Sequence, residues 1–210
     1  MDNPNQDDLI IKQQEAIQKD IADNTKLVSD KQSLKDLETE FSNDEVFKSK
    51  IVKLSDNYSQ IRRVRPDGNC FFRAVGYRLC EKLLEDETEL KRVVDCIEPS
   101  KEQMFRLGMP EFTVEDFYDN FMDTLKQLGG EEKISGEELV NMFNDEGVSN
   151  YLVVFLRLLT SKQLQVEGEF YQNFMEGGRS VAEFCSTEVE PMYKESDHIH
   201  IIGETVITII

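Results

Sequence analysis

Arg65-Pro66-Asp67-Gly68-Asn69-Cys70-Phe71-Phe72-Arg73-Ala74 reads as a tight turn that delivers a cysteine to the first turn of a helix. Pro66 and Gly68 punctuate the chain, and Phe71, Ala74, Val75, Leu79 and Leu83 then recur at the helical period. A thiol at a helix start sees the positive end of the macrodipole and unpaired backbone N–H groups, which favour the thiolate. The same N–H groups can hold a developing oxyanion. Nucleophilic acyl transfer at Cys70 is the chemistry this pattern points to.

The other three cysteines give the contrast. Cys80 lies within the helical run, Cys96 ends Val93-Val94-Asp95-Cys96 and Cys185 follows Phe184. Each reads as a small buried hydrophobe, the commonest role of a free cysteine. Cys70 departs from that pattern because the turn, the helix start and the acidic Asp67 coincide.

Asp67-Gly68-Asn69-Cys70-Phe71-Phe72-Arg73-Ala74 resembles the nucleophile motif of the ovarian-tumour (OTU) family of cysteine deubiquitinases. Glu111 to Phe117, Tyr151 to Ser161, Glu176-Gly177-Gly178-Arg179 and Glu188 to Ile202 resemble its otubain branch, so the resemblance runs from about Ser33 to Ile202. It implies a papain-like arrangement with Cys70 as nucleophile, cleaving the isopeptide bond between a ubiquitin C-terminus and a substrate lysine. Asp67 matches a residue counted with the catalytic set, and the backbone of Asp67 and Cys70 would shape the oxyanion site. The implied partners are ubiquitin or polyubiquitin and ubiquitin-conjugating enzymes.

One part of the pattern is missing. A cysteine hydrolase needs an imidazole near its thiol to take the proton and return it to the leaving amine. The chain has two histidines, His198 and His200, and in otubains the matching segment is structural, with the catalytic histidine further on. No general base is therefore identified, and His198 and His200 are read as packed or surface residues rather than substitutes. The resemblance implies a chain shortened after Ile202, by truncation, splicing or a gene-model error, and hence weak or inactive. The alternative is a non-catalytic binder of ubiquitin or of its conjugating enzymes.

With 210 residues, 39% of them hydrophobic, and 13 phenylalanines, there is material for one core. A net charge of −18 opposes nucleic-acid binding, and the one basic knot is Arg62-Arg63-Val64-Arg65. Four cysteines without metal-ligand spacing point to a reducing cytoplasmic or nuclear setting, with no disulfide, metal or cofactor. No apolar run is long enough for a membrane span.

The expected fold is α+β, a papain-like OTU fold of helices around a small central sheet, incomplete at its C-terminus. Residues 1–32 read as a polar extension with a thin apolar stripe, 33–202 as the otubain-like domain and 203–210 as a divergent tail. Ser33 to about Leu54 reads as helical, and Thr113 as the cap of a helix through about Leu128 that stops at Gly129-Gly130. Ser135 with Glu138 and Ser180 with Glu183 form capping boxes, and Ser149 is expected to cap a central buried helix, Asn150 to Leu159. In the tail, two β-rich runs flank Gly203-Glu204, the signature of a hairpin. The resemblance instead starts a helix near Asp197, the reading preferred here.

Overall fold

The structure, a computed structural model, describes residues 6–209, and its contacts divide the chain into two compact units that meet at Arg65 and Pro66. The first holds helix α1 (Gln6–Asn24), strand β1 (Gln32–Ser33), helices α2 (Leu34–Glu40) and α3 (Glu45–Ser55), and strand β2 (Gln60–Ile61). β1 and β2 pair antiparallel, Gln32 with Ile61 and Ser33 with Gln60. Outside these strands, Val28 and Val64 form an isolated antiparallel bridge. Leu27, Val28, Leu34 and Ile51 are its buried apolar residues.

The continuous helical reading from Ser33 to Leu54 is corrected at Phe41, where α2 ends. The Asp44 carboxylate then starts α3 by accepting the Val46 and Phe47 N–H groups, both at 3.0 Å. A side chain that satisfies two orphan donors outweighs the apolar period running through it.

The second unit is helical: α4 (Cys70–Leu83), α5 (Glu87–Ile97), α6 (Ser100–Arg106), α7 (Glu111–Gln127), α8 (Gly136–Asn144), α9 (Glu146–Val166), the short α10 (Gly168–Tyr171) and α11 (Val181–Phe184), and α12 (His198–Ile209). A π-helical turn, Cys185–Val189, follows α11. Helix α9 is the axis of this unit and packs against α4, α6, α7, α8, α12 and the π turn. Leu152, Val153, Phe155, Leu156, Leu159 and Leu164 are buried along it. The near-continuous apolar character of Asn150 to Leu159 predicts this burial.

Four readings are corrected here. Helix α7 begins at Glu111, because the Pro110 carbonyl accepts the Val114 N–H at 3.0 Å from an extended N-cap, and Thr113 lies inside the first turn. Helix α9 begins at Glu146, capped by Asp145, whose carboxylate accepts the Val148 N–H at 3.0 Å, and Ser149 is buried inside the helix. On α4 the buried face is Phe72, Arg73, Gly76, Tyr77, Cys80 and Leu83 rather than the Phe71, Ala74, Val75, Leu79 stripe. Gly76 sets that rotation, since a Cβ there would lie 2.8 Å from Leu156 Cδ1, and Ala74, Val75 and Leu79 are left lining a surface cleft. Cys96 is exposed, not core. The Ser135–Glu138 and Ser180–Glu183 capping boxes are both present.

In the tail, His198–Ile209 is one helix and not a hairpin. Gly203 serves close packing rather than a turn: it is buried, and a Cβ on it would come within 3.1 Å of Leu164 Cδ2 and Thr160 Cγ2 on α9. Tertiary contact overrides the β propensity of the Ile-rich sequence.

Candidate active site

The turn before α4 is an interlock of backbone and buried polar groups. Gly68 has φ +76°, and a Cβ on it would sit 2.5 Å from the Tyr193 carbonyl oxygen, so both conformation and space demand glycine. Tyr193 itself has φ +64°, a left-handed conformation uncommon for a residue with a side chain. The Asp67 carboxylate accepts the Asn69 N–H at 2.9 Å, closing an Asx-type turn. Asn69 Oδ1 accepts the Tyr193 N–H at 2.9 Å, across 124 residues of chain.

Two fully buried arginines fasten this turn to α9. Arg73, one turn into α4, donates to both Asp67 oxygens at 2.9 and 2.8 Å, and also to Ser149 Oγ and Asn150 Oδ1, each at 3.1 Å. Both carboxylate oxygens meet the same nitrogen, Nη1, in a desolvated, charge-assisted contact, while the other guanidinium nitrogens hold α9. Arg157, from the middle of α9, donates to the Gly68 carbonyl at 2.8 Å, Asn69 Oδ1 at 3.1 Å, the Val189 carbonyl at 2.9 Å and the Lys194 carbonyl at 2.8 Å. Its Cζ lies 4.6 Å from the centre of the Phe72 ring. Burial is the largest influence on the Arg157 guanidinium and lowers its pKa to about 10, with Asp67 opposing and Arg73 assisting.

Cys70 is the first residue of α4 and is half-buried. Among the described residues no acceptor engages the backbone N–H of Asp67 or of Cys70. The turn is largely withdrawn from solvent, since Asp67 and Asn69 are buried. Cys80 and Cys185 are buried, and burial pushes each thiol up to about 12.

The histidines do not join Cys70. His200 is buried, with Nδ1 2.9 Å from Asp197 Oδ1 and accepting the Asp197 N–H at 3.1 Å, while Nε2 faces the Glu188 carbonyl at 3.2 Å. A ring nitrogen that faces a carbonyl can only donate, so neither nitrogen is left for a thiol. Its ring rests against Phe184 at 5.7 Å. His198 is exposed at the head of α12. No His, Cys, Asp and Glu cluster suited to a metal ion occurs among the described residues.

Sequence reasoning assigns no role to Arg73, Arg157 or Asn69 and reads Ser149 as a helix cap, although the structure joins all four to the hydrogen-bond network around the turn before α4. One signal was available: Arg157 is a lone charge inside the apolar run Tyr151 to Leu159, and a charge on a buried helix must find polar partners.

Residues 20–205 match the family described as Peptidase C65 Otubain. The chain is 49% identical over 198 residues to Ubiquitin thioesterase OTUB1 of Homo sapiens, covering 94% of this chain and 72% of that protein. It is 38% identical to the ovarian tumour domain-containing deubiquitinating enzyme 1 of Arabidopsis thaliana, covering 91% and 65%. The solved complex of h/ceOTUB1 with ubiquitin aldehyde and UBC13~Ub superposes with a TM-score of 0.90 at 34% identity, over 96% of this chain and 79% of that one. With a family match over most of its length and a relative 49% identical over 198 residues, the chain belongs to the otubain family of cysteine peptidases.

Proposed function

We propose that this chain is an otubain-type ubiquitinyl hydrolase in which Cys70 is the nucleophile. The observation that carries the reading is Cys70 at the head of α4, on a turn held by the buried Asp67–Arg73 pair. The thiolate attacks the carbonyl carbon of the bond at the ubiquitin C-terminus. The Asp67 and Cys70 N–H groups receive the oxyanion, and the lysine amine departs as it gains a proton. Water then attacks the thioester, which releases the carboxylate and regenerates the thiol. Ubiquitin and ubiquitin-conjugating enzymes are the proposed partners, by analogy with the OTUB1 complexes that contain ubiquitin aldehyde with UBC13 or UBCH5B.

The thiol proton needs a base, and both ring nitrogens of His200 are already engaged. Turnover by these residues alone is therefore proposed to be slow, about 100-fold or more below that of an otubain with its imidazole in place. That observation also favours the second reading, a ubiquitin binder that does not turn over. Ubiquitin with a thiol-reactive C-terminus separates the two. Covalent adduct on Cys70, absent in Cys70→Ala, is the expected result, whereas binding without adduct would leave the binder. Rapid hydrolysis that a His198→Ala, His200→Ala double variant abolishes would refute the slow-turnover reading.

A further inference from the structure

Arg73 and Arg157 differ in what answers their charge. Arg73 meets the Asp67 carboxylate, whereas the hydrogen bonds of Arg157 go to neutral oxygens: the carbonyls of Gly68, Val189 and Lys194 and the side chain of Asn69. Its Nε is buried without a partner among the described residues. Burying a cation that no carboxylate hydrogen-bonds is unfavourable, and core stability alone is better served by an apolar side chain of similar size. The four acceptors share a location. Gly68 and Asn69 lead into Cys70, and Val189 and Lys194 bracket the segment whose Tyr193 backbone presses on Gly68.

The Gly68–Asn69 peptide is consequently held at both ends. Arg157 takes its carbonyl at 2.8 Å and Asp67 takes its N–H at 2.9 Å. With both ends fixed the plane cannot turn, and the Cys70 amide that follows keeps its direction. A lysine could bring the same charge but not a planar fork that reaches carbonyls on two segments at once.

We infer that Arg157 is a positioning residue for Cys70, its guanidinium fixing the peptide plane ahead of the nucleophile by joining it to the 189–194 segment. The inference rests on the reading of Cys70 as the nucleophile. It attributes the effect to fork geometry rather than to charge.

The test measures covalent labelling of the full chain by ubiquitin with an electrophilic C-terminus, resolved into the probe's binding constant and the maximal labelling rate, in Arg157→Lys and Arg157→Gln. Both variants are expected to lose about tenfold or more in maximal rate with binding unchanged, Lys being as poor as Gln, because small misplacements of reacting groups carry penalties of this size. Wild-type labelling in Arg157→Lys would overturn the inference in favour of charge, and wild-type labelling in both would remove any role. Weaker binding at an unchanged maximal rate would also overturn it. Because an arginine variant can fail to fold, Asn69→Ala is measured alongside, with thermal melting as the check. It deletes the tie from Arg157 to Tyr193 without altering charge and is expected to slow labelling, and an unchanged rate in it counts against the inference. If wild type and Cys70→Ala react alike, the nucleophile reading itself fails. That result is distinct from a dispensable Arg157 in a chain that labels normally.

Discussion

Gly68 and Tyr193 meet in matched left-handed conformations, φ +76° and +64°, so close that a Cβ on the glycine would lie 2.6 Å from the Tyr193 carbonyl carbon. Backbone faces backbone at this point. Neither side can swing away as a flexible side chain would.

Gly68→Ala is therefore expected to destabilise the second unit by about 2 kcal/mol or more, the sum of left-handed strain and a contact that must be relieved by moving the main chain. Urea denaturation measures it. A change under about 0.5 kcal/mol, the level of an ordinary surface substitution, would show that the loops separate easily.

Asp67→Ala leaves the Arg73 guanidinium buried without its counter-charge, and breaking a buried pair from one side costs about 3–5 kcal/mol. Labelling of Cys70 by the ubiquitin probe should fall as well, with the thiol still present. Replacing both partners, Asp67→Leu with Arg73→Met, is expected to recover much of the stability and none of the labelling. Unchanged melting and unchanged labelling in Asp67→Ala would reject both roles.

Asn69 Nδ2 is buried with no acceptor among the described residues, and an orphan donor of this kind is unfavourable. Asn69→Asp removes it without changing shape and gives Arg157 the carboxylate it lacks. Thermal melting should show equal or higher stability, while Cys70 alkylation at neutral pH should slow because the new negative charge opposes the thiolate. Lower stability together with faster alkylation would contradict the hydrogen-bond assignment.

The cysteines supply a pH dependence. Cys80 and Cys185 rise from an ordinary 9.0 to about 12 in the folded protein because burial disfavours the thiolate. The unfolded chain ionises them first, so this part of the stability is complete below pH 9.0 and is lost as pH climbs toward about 12. Cys80→Ala should flatten the alkaline decline, at some cost in packing. In native protein at pH 8, a thiol reagent should count Cys70 and Cys96 and reach Cys80 and Cys185 only on unfolding. Early reaction of either buried thiol would contradict their placement.

The features legible in the sequence are the local ones. Cys70 at a helix start depends on neighbours within a few residues, as do the Ser135–Glu138 and Ser180–Glu183 boxes. The burial of α9 is legible because its apolar run is longer than one face requires. Ser149 was misread because its local grammar is that of a cap, and only the approach of Arg73 from 76 residues away puts its hydroxyl to another use. Thr113 lost its position to Pro110, whose extended backbone starts α7 one turn earlier. The hairpin reading of the tail failed at Gly203, where the missing side chain serves contact with Thr160 and Leu164 and not a reversal of the chain. The sequence does not reveal that Asp197 and Glu188 occupy the His200 ring, because both contacts depend on how the chain folds back on itself.

The hydrogen bond from Tyr193 to Asn69 spans 124 residues, which sets a time order on the life of the molecule. A ribosome delivers Cys70 long before it delivers Val189, Tyr193 or Lys194, and until those residues emerge, the turn has nothing to press against and Arg157 lacks half of its acceptors. Closing so long a loop is entropically expensive and comes late in folding. A nascent chain thus carries Cys70 on a turn that nothing yet locks, and the turn takes its final form only when residues 189–194 have been synthesised.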